Sequence, residues 1–153
     1  MGANPVRRIG EITMSIASIV SAKTEVISVA PDTGVSAVVA LLHDNRIGAV
    51  LVIDGTAICG IVSERDIVGE LHRRGAVVLD LTAHEIMTTP VVTVAADASI
   101  TAAMATMTMQ RIRHLPVVTN GALVGLVSIG DLVKRRIEQA EQEANALKAY
   151  IAL

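Results

Sequence analysis

Two short stretches, GIVSERDIV at residues 60 to 68 and GLVSIGDLV at residues 125 to 133, place a Gly, a Ser and an Asp at one spacing behind an apolar run. Gly60, Ser63 and Asp66 in the first become Gly125, Ser128 and Asp131 in the second. A Ser-x-x-Asp pair at a strand-to-helix junction can do two different things. As a capping box, its hydroxyl accepts an N–H of the first helical turn and its carboxylate reaches back to the cap, which stabilises by about 1 kcal/mol. As a ligand hook, the helix N-terminus and the hydroxyl offer donors to a phosphate, and the carboxylate accepts two hydrogen bonds from a vicinal diol. Phosphate together with a ribose diol is a nucleotide, and charge-assisted bonds of this kind contribute about 1.5–3 kcal/mol each. Gly60 and Gly125 fall inside strands, where a missing side chain marks close approach of a ligand or of another backbone. The spacing alone leaves both readings open.

The elements that must position these residues are themselves duplicated. Residues 26–68 lie over residues 91–133 at a constant offset of 65 without a gap, and 15 of the 43 positions are identical. An internal repeat at this period is a duplicated fold unit. Each copy opens on a β-rich segment (VISVA, VVTVA), turns at Asp32 or Asp97, and continues into a helix of about three turns. Two strands follow, AVLVI then AICGIVS in one copy and HLPVV then ALVGLVS in the other, with Asp54-Gly55 or Asn120-Gly121 as the hairpin signal. A helix starting at Ser63 or Ser128 closes each unit, so each repeat reads β-α-β-β-α.

The expected organisation is an N-terminal segment with a short helix over 1–22, repeats over 23–75 and 89–137, a linker over 76–88 and a helical extension over 138–153. Thr82 and Glu85 have capping-box spacing and predict a short helix in the linker before Pro90. Ile137, Ala140, Ala144, Leu147 and Ile151 recur at helical spacing at one end of the chain, and Ile9, Ile12, Ile16 and Ile19 at the other. Those stripes either pack on their own module or help to hold a homodimer or higher homo-oligomer.

Composition narrows the function. The chain is 52% hydrophobic but only 1% aromatic, with no Phe, no Trp and Tyr150 alone, so base stacking on aromatic platforms is excluded. A formal charge of -2 supplies no field for gripping a phosphate backbone, so nucleic acid is not an expected partner. Cys59 is single and lies in an apolar run, which fits a reducing compartment, and no Cys cluster points to a metal. Without an apolar leader or a run of about 20 uncharged residues, the expectation is a soluble cytoplasmic protein and no membrane partner. No nucleophile with an orienting base, no phosphate-binding Gly-rich loop and no paired His at metal spacing is present, so no enzyme is expected.

Taken with the Arg-bearing helix ends and the strand HLPVV, the doubled Gly-h-h-Ser-x-x-Asp resembles a pair of CBS domains, a Bateman module. The resemblance covers residues 23 to 137 and extends to small stand-alone bacterial CBS-pair proteins assigned to signal transduction. It implies an α/β (α+β) fold of tandem repeats packed as a pseudo-twofold pair with an extended C-terminal helix. It also implies ligand sites in the cleft between repeats, where Asp66 and Asp131 hold ribose hydroxyls and Ser63 and Ser128 lie near phosphate. Adenine would rest on Thr24, Val26, Ile27, Ile47, Gly48 and Ala49 in the first repeat. In the second it would rest on Thr89, Val91, Val92, Ile112, Arg113, His114, Leu115 and Pro116.

The copies differ where charge matters: Arg65 faces Gly130 across the offset, and Arg113 faces Gly48. If both arginines reach the cleft they clamp phosphates from opposite sides; otherwise they are solvated charges. The function implied is an adenine-nucleotide sensor, with AMP as the first candidate and ADP, ATP or NAD(H) behind it. No metal is required, and the regulated protein is unknown. A ligand-independent dimeric scaffold and an S-adenosylmethionine binder are the alternatives.

Overall fold

The computed structural model describes residues 15–21 and 25–153. A five-residue helix α1 (Ile16–Val20) leads into the first repeat, β1 (Ser28–Val29), α2 (Val35–Asn45), β2 (Ala49–Asp54), β3 (Ala57–Ser63) and α3 (Glu64–Arg74). A 3-10 turn over Gly75–Asp80 and the short helix α4 (Ala83–Ile86) lead to the second repeat. That repeat runs β4 (Val94–Ala95), α5 (Ile100–Gln110), β5 (His114–Thr119), β6 (Ala122–Ser128) and α6 (Ile129–Ile151). The fold is the expected tandem β-α-β-β-α pair with a long last helix. The opening strands are only two residues long, shorter than the β-rich segments the sequence offers.

Duplication holds down to hydrogen-bond register. Val29 pairs with Val52 in a parallel ladder, as Val94 does with Val117, and Ala49 faces Ser63 as His114 faces Ser128. Both antiparallel ladders slip at the same place, between Val52 and Ile53 and between Val117 and Val118. Arg46 and Arg111 end α2 and α5 in the left-handed region, φ 53° and 54°, so their backbones close the two helices. The hairpins are not alike. Asn120 and Gly121 both have positive φ, the signs of a type I′ turn. In the first repeat Asp54 still belongs to β2, and the loop is Gly55-Thr56, with positive φ at Gly55 alone, as a type II′ turn requires.

Each repeat has its own apolar core, and each core is finished by the segment that leads into the other repeat. Ala83 and Ile86 of α4 are buried with Val35, Val38, Val50 and Val62 of the first repeat. Ile16 and Ile19 of α1 are buried with Ile100, Ala103, Leu115 and Leu132 of the second. The two docking modes match hydrogen bond for hydrogen bond. Ile16 N–H donates to Ala98 O at 3.0 Å and Ala17 N–H to Ala96 O at 2.8 Å, as Ala83 N–H does to Thr33 O at 2.7 Å and His84 N–H to Pro31 O at 3.0 Å. The lead helices are thus offset by 67 and the repeats by 65, so two additional residues fall in 22–24. Of the isoleucines expected to serve a dimer, Ile16 and Ile19 are spent inside the chain, and Ile9 and Ile12 lie outside the described residues. No helix among the described residues is long and apolar enough to cross a membrane.

Candidate functional site

The Ser-x-x-Asp pairs stand where the sequence puts them, at the start of α3 and α6, and both are complete capping boxes. Ser63 N–H donates to Asp66 Oδ2 at 2.8 Å, and Asp66 N–H donates to Ser63 Oγ at 3.2 Å. Ser128 and Asp131 repeat the same two bonds at 2.8 and 3.2 Å. The next carbonyl across fixes each helix start over the strand before it: Glu64 N–H donates to Gly48 O at 3.0 Å and Ile129 N–H to Arg113 O at 2.8 Å. The helix-capping role is therefore filled in both copies.

The glycines before the serines serve packing. A Cβ on Gly60 would fall 2.5 Å from Met87 Sδ, and one on Gly125 would fall 2.7 Å from Val20 Cγ1. The close approach they permit is that of the crossed-over lead segments, the second of the two readings the sequence leaves open, and Gly125 also lines the wider of the two cavities described next.

Two cavities open between the repeats, and each joins a hook from one repeat to the opening segment of the other. The wide cavity, about 420 Å³, is lined by Val26, Ile27, Ile47, Gly48 and Ala49 of the first repeat and by Ser128 and Asp131 of the second. The narrow cavity, about 220 Å³, is lined by Val91, Val92, Ile112, Arg113 and His114 of the second repeat and by Ser63, Arg65 and Asp66 of the first. Small-molecule pockets run from roughly 300 to 1,000 Å³, so the wide cavity falls in that range and the narrow one just below it. His114 lines both, with its ring against the space a side chain at Gly48 would need, 3.1 Å from a Cβ there.

Three of the expected contacts fall elsewhere, and a fourth lies outside the described residues. Leu115 is fully buried in the core of the second repeat, and Pro116, on the opposite face of β5, is buried across from Leu126; neither lines a cavity. Thr89 is exposed and lines neither cavity; Thr88 lines the narrow one instead and donates from Oγ1 to Asp66 Oδ1 at 3.0 Å. Thr24 lies outside the described residues. Sequence reasoning also missed Glu25 and Arg46 on the wide cavity and Glu64 and Arg111 on the narrow one. The signal for Glu64 and Arg111 was adjacency to Ser63 and Ile112, but which repeat faces which hook is a tertiary matter.

The narrow site is already organised around Asp66. Asp66 accepts from Ser63 on Oδ2 and from Thr88 on Oδ1 and keeps one lone pair on Oδ1, so it can still take a hydroxyl. The residues that bring Thr88 there are pinned by the Thr82–Glu85 capping box, and the Thr82 backbone N–H followed by its hydroxyl holds the Glu85 carboxyl below its ordinary value. No group of three or more His, Cys, Asp or Glu that could hold a metal occurs among the described residues.

Comparison with known proteins agrees with this architecture. The CBS domain pattern matches twice, at residues 16–73 and 83–138. The chain is 34% identical over 125 residues to the mitochondrial CBS domain-containing protein CBSX3 of Arabidopsis thaliana, covering 78% of this chain and 60% of that one, so it spans less than two thirds of that relative's length. Among solved structures, the CBS-domain containing protein ATU1752 from Agrobacterium tumefaciens superposes with a TM-score of 0.78 at 35% identity, over 82% of this chain and 96% of its own. The CBS domain protein PAE2072 from Pyrobaculum aerophilum, complexed with AMP, superposes with a TM-score of 0.68 at 30% identity, over 77% of this chain and 89% of its own.

Proposed function

This chain belongs to the CBS-domain family, and we propose that it is a regulatory module that senses an adenosyl ligand, AMP first, with ADP, ATP or NAD(H) as further candidates. The observation that carries the reading is the pair of cavities, each built from an aliphatic opening segment of one repeat and a Ser-x-x-Asp hook of the other. The AMP complex of the Pyrobaculum relative supports the ligand class. Asp66 and Asp131 take the ribose diol, Ser63 and Ser128 lie beside the phosphate, and the adenine rests on Val26, Ile27 and Ile47 or on Val91, Val92 and Ile112.

Because each cavity needs both repeats, an occupied cavity favours only those arrangements in which the repeats hold their mutual register. Helix α6 begins at one hook and runs on for 23 residues, with Ile137, Leu147 and Ile151 exposed along it. It is the element through which occupancy would reach a second copy of the chain. One observation favours the scaffold reading: both capping boxes are complete without a ligand.

Calorimetric titration of AMP, ADP, ATP, NAD, NADH and S-adenosylmethionine decides between them, using wild type, Asp66→Asn and Asp131→Asn. A sensor binds at least one adenosyl ligand below millimolar and loses that affinity in one of the variants. A scaffold binds none of the six, and that result ends the sensor reading.

A further inference from the structure

We propose that the two cavities discriminate ligands differently: the narrow one selects for a nucleoside di- or triphosphate through Arg65 and Arg113, while the wide one is indifferent to phosphate number. The inference rests on the adenosyl reading above and assigns a charge preference to each site. It follows from the crossing of the repeats. At two positions beside the hooks and opening segments the copies exchange Arg for Gly, Arg65 against Gly130 and Arg113 against Gly48. Were each site built within one repeat, each would carry one of the two arginines. The crossed construction instead sends both to the narrow cavity, and leaves Gly48 lining the wide one with Gly130 next in sequence to its Asp131.

The remaining charges cancel between sites. Arg46 on the wide cavity answers Arg111 on the narrow one, and Glu25 with Asp131 answers Glu64 with Asp66. Among the described residues the narrow cavity is therefore richer by two positive charges. None of its three guanidinium groups is held in an ion pair among the described residues, and Arg65 and Arg113 are exposed at the rim. A pocket of about 220 Å³ encloses less than a whole nucleotide ligand commonly fills, so a polyphosphate chain projects past the rim, where these two side chains stand. Planar guanidinium groups bind phosphate oxygens in pairs, and at an exposed rim that attraction is screened by salt.

The test is calorimetric titration of the full chain with adenosine, AMP, ADP and ATP at two salt concentrations. With the wide site silenced by Asp131→Asn, affinity should rise from adenosine to ATP by at least about tenfold, and less at high salt. Adding Arg65→Ala and Arg113→Ala should flatten that series. With the narrow site silenced by Asp66→Asn the series should be flat within about threefold. Gly130→Arg should then steepen it, since a Cβ there meets only Ser128 Oγ at 3.6 Å and the side chain has room. A series that survives loss of both arginines, that is equally steep at the wide site, or that Gly130→Arg leaves flat overturns the assignment. If adenosine binds and phosphates add nothing at the narrow site, the charge preference alone fails; if no adenosyl ligand binds either variant or wild type, the sensor reading fails with it.

Discussion

The two repeats share a backbone to the level of register, yet their cores are closed with different pieces. The first is closed by α4, which the chain holds at both ends. The second is closed by α1, five residues long and joined to the repeats at one end. Side-chain volume has been traded to suit. Across the lead offset Ala83 answers Ile16, and across the repeat offset Val38 answers Ala103, so the large residue comes from the lid in one half and from the repeat's own helix in the other. The lesson is that the duplicated sequence unit is not the folding unit, because each core is incomplete without the other repeat's leader. The same crossing makes the cavities composite.

The largest expected effect breaks the second half at its lid. Ile16 is fully buried, and Ile16→Ala removes three carbons from the core of the second repeat, so a loss of about 3 kcal/mol in urea unfolding is expected. Hydrogen exchange locates the damage: amides of β5 and β6 should exchange faster than those of β2 and β3, and Ile86→Ala should reverse the order. Equal acceleration in both halves for both variants would mean that the lids do not belong to separate cores.

A smaller effect sharpens the contrast at the strand glycines. Gly125→Ala drives a methyl against both Val20 methyls, at 2.7 and 2.9 Å, on a stiff β-branched side chain whose Cβ is itself 3.3 Å away, so α1 is expected to shift, at about 2 kcal/mol. Gly60→Ala meets Met87, whose Sδ and Cγ can swing aside while its Cβ, at 3.0 Å, needs only a slight shift, so a smaller cost of about 1 kcal/mol is expected. The double variant Val20→Ala with Gly125→Ala should recover most of the loss, a coupling that a double-mutant cycle reads directly. Equal costs at the two glycines, or no recovery, would remove the distinction between lids.

Much of the fold was legible, for reasons the residues make plain. The offset of 65, the hairpin at Asn120-Gly121 and the Ser-x-x-Asp caps are local signals, and local hydrogen bonding executes them. The exchange of lids was not legible. Its offset is 67, so the ungapped alignment stops before it, and nothing local in IASIV or AHEI says which of two similar cores each will cover. For the same reason the segment that Gly60 and Gly125 make room for was not legible, and Leu115 and Pro116 lie buried on opposite faces of β5, lining neither cavity. The sequence names the Ser, Asp and Arg residues that line the two cavities, while their grouping into two mixed sites needed the crossing.

The smallest expected effect concerns a position where the halves carry opposite charge. Glu70 on α3 and Arg135 on α6 occupy the same place in the repeat. Arg135 Nη2 donates to Ser18 O at 3.1 Å, tying α6 to the lid α1, and pairs with Glu138 at 3.5 Å. Glu70 instead stays within its own helix, hydrogen-bonded by Arg73 and paired with Arg74 at 2.8 Å without hydrogen-bond alignment on Oε2. The Arg73 hydrogen bond, opposed by desolvation and helped by both guanidinium charges, holds the Glu70 carboxyl below its ordinary value of 4.5. A carboxyl lowered in the folded state adds stability that is complete above 4.5 and lost as pH falls through the folded value. Glu70→Gln should make the acid limb shallower when urea midpoints are followed from about pH 7 to about pH 3. The change should be modest because the arginine side chains are 64% and 47% exposed and water screens the pairs. Parallel midpoint curves for wild type and variant would show that the ion pairs of α3 contribute nothing to stability, leaving the Arg135 tether as the only one of the two that matters.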